Sequence, residues 1–377
     1  MFRNSMKKIL FSATTFVAVI SLVLAACGDD NDSESASSAE KPLIVVTTNI
    51  LGDVVTNMVG DSFDVETIMP PGSDPHDFQA SAQQVQTMMS ADLLVVNGAN
   101  FEEGMLDVIE NAESDGVMIF EAISVVSQLE GSDDHGDHGG HDDHEGHDDH
   151  GEEKDHDDHE GHGHDEEKDH DDHEGHDDHD EEKGHNDHEG HDDHEGHDHG
   201  GIDPHFFTDP ARMATVAQEL SEFLLANFPN ANQGFVSTTN DYVQQLQDLD
   251  SEVQETLSAI SSGERLLVTN HAVFAYFADR YSFTVLGEII PSSSTLASAS
   301  AQQLASLAEE IKENQVKAIF ADASSSDALA QTLANEVNGV KVINLYTESL
   351  GDPGSSGDSY IDMVRFNAEA IASALVQ

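Results

Sequence analysis

Leu43-Ile44-Val45-Val46-Thr47-Thr48 is a short, β-branched apolar run of the kind that fills a strand buried on both faces. Just beyond it, Leu51, Val54, Val55 and Met58 repeat at helical spacing, and Gly60 stands where a helix ends. Further strands are expected over 63–69, 93–96 and 117–120, with helices over 80–89 and 101–109 between them. Strands alternating with helical patterns imply βαβ units and a parallel sheet.

The same alternation restarts at Arg265-Leu266-Leu267-Val268-Thr269. A helix to 281 follows, then strands over 283–290, 318–321 and 340–345, with helices over 302–314, 327–337 and 360–376. Between the two series lie a helix over 210–228, ended by Pro229, and a longer helical pattern over 234–260. That second pattern, roughly 27 residues or about 40 Å at 1.5 Å per residue, has no breaker before Ser261-Ser262-Gly263 and reads as a spine between domains. The expected fold class is α/β: two lobes, each a mostly parallel sheet with flanking helices, joined by one long helix. The boundaries read as a first lobe over 41–233, a linking helix over 234–261 and a second lobe over 262–377.

One stretch belongs to neither series. Residues 132–200 are built almost wholly from His, Asp, Glu and Gly, with Glu-Glu-Lys recurring at 152–154, 166–168 and 181–183. They hold 20 of the 23 histidines in the chain, and 32 acids against 3 lysines. Like-charge repulsion and the absence of apolar residues predict a disordered insertion in the first lobe. Neutral imidazoles three apart among carboxylates, beginning His135, His138, His141, His144, His147 and His150, give overlapping weak metal sites. The insertion therefore reads as a metal-capturing antenna or a sensor of metal load, whose affinity falls as pH drops through about 6.5.

Acidity is a property of the whole chain, whose net charge is −61. Such a field attracts cations, and it argues against partners that are nucleic acids or anionic lipid surfaces. Arg3, Lys7 and Lys8 precede an apolar run over 9–23 and then Leu24-Ala25-Ala26-Cys27. Positive, apolar and small-residue regions in that order form a signal peptide, expected over 1–26. Cys27 is the only cysteine, so it cannot pair within the chain. Its place in a Leu-Ala-Ala-Cys sequence resembles the bacterial lipobox, which implies acylation of Cys27 as the first mature residue and a membrane contact through that anchor alone. Residues 27–40 are polar and acidic and read as a tether.

Only three histidines lie outside the insertion: His76, His205 and His271. Each falls after an expected strand, where parallel α/β sheets bind ligands. Two share a local form, Asp74-Pro75-His76 and Asp203-Pro204-His205, in which proline stiffens the approach. Three imidazoles at equivalent strand ends point to one shared metal site. Such a donor set suits Zn²⁺, Cu²⁺, Fe²⁺ or Ni²⁺ and not Mg²⁺ or Ca²⁺. A carboxylate would complete the shell, with Glu348 after the last strand the best placed and Asp322 its rival.

Four segments then carry a resemblance: Pro71-Gly72-Ser73-Asp74-Pro75-His76, Asp203-Pro204-His205-Phe206, Asn270-His271-Ala272-Val273-Phe274-Ala275-Tyr276-Phe277 and Tyr346-Thr347-Glu348-Ser349-Leu350. In order and spacing they resemble the periplasmic zinc-binding receptors of ABC transporters, a metal-specific group of solute-binding lipoproteins. The resemblance implies two α/β lobes joined by a long helix, with Zn²⁺ held between them by His76, His205, His271 and Glu348. It also implies an ABC permease and its ATPase as partners, a monomeric receptor, and no enzymatic activity. The manganese branch of that family places a carboxylate where His271 stands and lacks the His-rich insertion. Many members have Asp at the position of Glu348, and some zinc receptors carry a disulfide that this chain cannot form. A zinc hydrolase is disfavoured, because the chain has no His-Glu-x-x-His and a fourth protein ligand would close the shell. An extracytoplasmic metal buffer or adhesin is the other alternative.

Overall fold

The computed structural model describes residues 41–131 and 201–376. The expected signal peptide, Cys27, the tether and the His-rich stretch fall outside the described residues.

The first half contains β1 (Leu43–Val46), α1 (Asn49–Val59), β2 (Asp64–Thr67), α2 (Ala82–Met89), β3 (Leu93–Val96), α3 (Leu106–Ser114) and β4 (Met118–Glu121). The strands are all parallel, in the order β2-β1-β3-β4. After α4 (Pro210–Asn227) and α5 (Phe235–Leu257) the second half adds β5 (Leu266–His271), α6 (Ala275–Tyr281), β6 (Thr284–Ile290) and α7 (Ala301–Glu313). It ends with β7 (Ala318–Asp322), α8 (Ala328–Glu336), β8 (Lys341–Leu345) and α9 (Tyr360–Leu375). Its sheet, β6-β5-β7-β8, is also wholly parallel and repeats the strand order of the first.

Alternation within the strands explains why both sheets are covered on both faces. Ile44, Val46, Leu93 and Val95 point into one core, while Val45, Leu94 and Val96 point into another with Met88 and Met105. In the second sheet Leu267, Ala318 and Phe320 face the first core, and Val268, Ile319 and Ala321 face a third, beneath α7 and α8. The first core is thus shared by both halves. It runs along α5, whose Phe235, Tyr242, Val243, Leu246, Leu249, Val253 and Leu257 form one buried stripe.

Helix starts follow from local chemistry. Thr48 accepts from the Leu51 amide at the head of α1, and Ser81 and Ser300 form reciprocal caps with Gln84 and Gln303 on α2 and α7. Asp209 caps α4, with Pro210 at the first helical position.

Three expectations are corrected. The long helix spans 23 residues, about 34 Å, and not about 27. Beyond Leu257 the chain turns: the Ile260 amide donates back to the Leu257 carbonyl at 3.1 Å, and Arg265 donates to the carbonyls of Leu257 and Ile260 at 3.2 and 3.3 Å. The helix expected over 101–109 begins only at Leu106, after a tight turn over Glu103–Met105. The buried Glu102 carboxylate causes this, accepting from the Thr47 hydroxyl and the amides of Asn97 and Gly98 and holding 97–102 as a loop. Finally, β5 runs past Thr269, so that His271 is its last residue and does not fall after it.

The buried stripe of α5 makes that helix sensitive to truncation. Leu246→Ala should cost about 2–5 kcal/mol in urea unfolding, from lost burial plus a cavity. Gln247→Ala, on the exposed face, should stay within about 0.5 kcal/mol of wild type.

Candidate metal centre

Each converging side chain sits at the carboxyl end of a strand or in the connection that follows. His76 lies beyond β2, His205 beyond β4, His271 ends β5, and Glu348 follows β8. All four are buried. Their donor atoms lie within 4.8 Å of one another. Nε2 of His76, His205 and His271 stand 2.8, 3.2 and 3.0 Å from a single atom, Glu348 Oε1. The His271 contact is close but not aligned as a hydrogen bond.

The Asp-Pro-His motifs are built alike. Asp74 Oδ1 accepts from the His76 amide at 2.9 Å, and Asp203 Oδ1 accepts from the His205 amide at 2.8 Å. Each imidazole also has a carboxylate behind it. His76 Nδ1 lies 2.9 Å from Glu103 Oε1, and His205 Nδ1 lies 2.7 Å from Asp203 Oδ1. With Nδ1 donating to those carboxylates, Nε2 is left with its lone pair facing Glu348. His271 has no such support: its Nδ1 has no hydrogen-bond partner among the described residues.

Glu348 is held by the first half. Asn49 accepts from the Leu350 amide at 2.8 Å and donates to Ser349 Oγ and to the Pro70 carbonyl, while the Gly72 amide donates to Ser349 Oγ. Behind the same loop the Tyr346 ring lies against Gly351 and Gly357, where a Cβ would have no room. Tyr276 on α6 donates to the Asp203 carbonyl and accepts from the Leu129 amide, which fixes the approach to His205 from the second half. Phe101 covers the cluster, its ring 5.2 Å from that of His76 and 5.5 Å from that of His205.

Asp322 is not part of the convergence. Its two oxygens accept from the amide and hydroxyl of Ser324 at 2.9 and 2.6 Å. Burial and the nearby Glu348 charge raise its pKa. Sequence reading missed Glu103 and Asn49 altogether, and read Asp203 only as part of its motif. Glu103 and Asn49 carry no local signal, because each acts on a partner distant in sequence, whereas the repeated Asp-Pro-His form is the signal for Asp203.

Three imidazole nitrogens crowd one carboxylate oxygen, two of them with lone pairs turned toward it, and such lone pairs repel the oxygen unless a cation sits among them. A tetrahedron with about 2.0 Å bonds has edges of about 3.3 Å, so the separations here are within a few tenths of an ångström of a coordination shell. Without metal, protons take that role. Burial alone would lower the pKa of His76, but Glu103 and Glu348 outweigh it and raise it to about 10. Burial likewise opposes, and Asp203 and Glu348 overcome, so that His205 is raised. Burial would raise Glu348, yet His271, His205 and His76 hold it well below the usual carboxylate range.

The family model described as the zinc-uptake complex component A, periplasmic, matches residues 44–374. The chain belongs to that family. Among curated proteins it is 24% identical to the manganese ABC transporter substrate-binding lipoprotein PsaA of Streptococcus anginosus, covering 98% of this chain and 99% of that one. It is 23% identical to the manganese-binding lipoprotein MntA of Halalkalibacterium halodurans, covering 99% and 100%. Among solved structures it resembles the periplasmic zinc-binding protein TroA from Treponema pallidum, with a TM-score of 0.66 at 23% identity over 89% of this chain and all of that one. A manganese-bound periplasmic metal-binding protein from Candidatus Liberibacter asiaticus gives 0.65 at 18% identity, over 89% and 100%. The chain is therefore a periplasmic metal-binding component of an ABC transporter, working outside the cytoplasmic membrane. Among the described residues no helix is long and apolar enough to cross a membrane.

The raised histidines set a sign for pH. A group raised in the fold stabilises it fully below its unfolded pKa, and that contribution is lost as pH rises through the folded value. Melting temperatures of the metal-free protein should therefore fall between about pH 6.5 and 10, and the fall should flatten in His76→Phe. Metal affinity should rise over the same window, because the ion displaces those protons. Calorimetry in buffers of different ionisation enthalpy should detect more than about one proton released per ion at pH 7.

Proposed function

We infer that this chain is the high-affinity zinc receptor of an ABC importer, with His76, His205, His271 and Glu348 as the four ligands of the transported ion. The observation that carries the reading is the approach of three imidazole Nε2 atoms to one carboxylate oxygen, Glu348 Oε1. Three nitrogen donors and one carboxylate suit Zn²⁺, whereas Mn²⁺ prefers oxygen-rich shells. Four protein donors leave no open position for a substrate and its attacking water, which supports a carrier and not a hydrolase.

Around that centre the rest of the chain has assignable tasks. Cys27 carries the lipid that keeps the receptor at the membrane. The insertion, through His135, His138, His141, His144, His147, His150 and their repeats, raises the local concentration of Zn²⁺ before the ion reaches the centre. The loaded monomer is read by an ABC permease, and its ATPase drives transfer inward. The core shared along α5 favours local ordering around the ion over a wide hinge motion.

The second reading is a manganese receptor, favoured by the relatives named for that metal. Metal titration with elemental analysis separates the two. The intact chain should bind one Zn²⁺ tightly plus several weakly, and a form lacking 132–200 should keep the tight one. His271→Ala should lose the tight site by at least about two orders of magnitude in affinity and keep the weak ones. Tighter binding of Mn²⁺ than Zn²⁺, or unchanged affinity in His271→Ala, would overturn the assignment.

A further inference from the structure

His205, His271 and Glu348 are sealed from solvent, but His76 lines a vestibule of about 600 Å³. Its walls come from three places: Ala99, Asn100 and Glu103 between β3 and α3, Gly201 and Pro204 before His205, and Ser292–Ser294 between β6 and α7. Leu106 and Ile202 stand on the same lining and are exposed.

Two carboxylates support imidazoles here, and they differ in one respect. Asp203, behind His205, is 3% exposed at its side chain; Glu103, behind His76, is 31% exposed. A carboxylate that only orients an imidazole is strongest when dry, as Asp203 is. Glu103 instead keeps an edge in the vestibule while touching His76 Nδ1. The facing wall is tied to the cluster at two points. Thr295 Oγ1 donates to Asp74 Oδ2 at 2.7 Å, on the aspartate that also holds the His76 amide, and the Ala272 amide donates to the Ser292 carbonyl at 3.0 Å.

We propose that this vestibule is the port through which a divalent cation enters and leaves the centre, with Glu103 as its transfer carboxylate. The inference rests on the metal-receptor reading above. A hydrated dication cannot enter a site sealed from solvent without replacing its waters one by one. Glu103 offers an anionic oxygen at the threshold, in contact with the one converging group that lines the vestibule. The ion exchanges a water for that oxygen, then passes the edge of the His76 ring to reach Nε2 on its far side, and finally takes the inner three donors. Release runs the same sequence backwards.

A transfer carboxylate changes rates in both directions, whereas an orienting carboxylate changes affinity, chiefly through dissociation. The test is stopped-flow kinetics on the full chain, in which zinc-loaded protein meets excess chromophoric chelator and metal-free protein meets the zinc–chelator complex. The tight-site phase is the one that disappears in His271→Ala; if none disappears, the metal-centre assignment fails and not the port. Ser293→Trp, or Ser294→Phe should the first misfold, should slow uptake and release together by about tenfold or more and leave their ratio unchanged. Glu103→Gln should slow both as well, with Glu103→Asp recovering part of the loss. Wild-type rates in the two blocking variants overturn the port. Faster release with unchanged uptake in Glu103→Gln makes Glu103 an orienting residue and overturns its transfer role.

Discussion

Everything at the centre of this protein follows from one electrostatic conflict. Three imidazole nitrogens from the two halves approach the same carboxylate oxygen in a space closed to water. Such an arrangement is stable only with positive charge in its midst. The carboxylates behind His76 and His205 deepen the demand, because they fix the protons on the far nitrogens and leave the near ones as acceptors. The fold is thus built to want a cation, and protons fill the need when no metal is present.

The two halves meet the cost of this arrangement by holding each other's loops. Asn49 from α1 positions the Glu348 loop, and Tyr276 from α6 positions the Asp203-Pro204-His205 loop. Tyr360 on α9 adds a third tie, donating to the Phe207 carbonyl at 2.8 Å. Because these ties cross between halves and α5 lies in a core common to both, most of the arrangement is held by the folded body and only local ordering is left to the binding step. Preorganisation of that kind raises affinity by reducing the ordering cost.

Much of this was legible in the chain itself. Alternating apolar runs and helical patterns imply two parallel sheets, and two such sheets of the same strand order are found. The three isolated histidines stand out because histidine is otherwise confined to 132–200. What could not be read is the set of supports behind them. Glu103 and Asn49 are ordinary polar residues in ordinary local sequence, and their roles exist only once partners 27 and 300 residues away are brought beside them. The early end of α5 was hidden for the same reason, since Arg265 reaches the Leu257 carbonyl and the turn after it from further along the chain.

The base of the insertion has a consequence for how such a chain can change over generations. Glu130 and Ile202 form an antiparallel bridge, with the Asp203 amide donating to Leu129 and the Gly131 amide to Gly201. The entry and exit of the inserted stretch are therefore fixed side by side by the folded body. Chain added or removed between those fixed ends need not disturb the bridge, and closing a flexible connection costs only about 0.6 kcal/mol more for each doubling of length. Tandem duplication of the Glu-Glu-Lys unit can then lengthen the stretch, or deletion shorten it, while the cluster of His76, His205, His271 and Glu348 is inherited intact. The length of the inserted stretch and the geometry of the buried cluster become separately heritable traits.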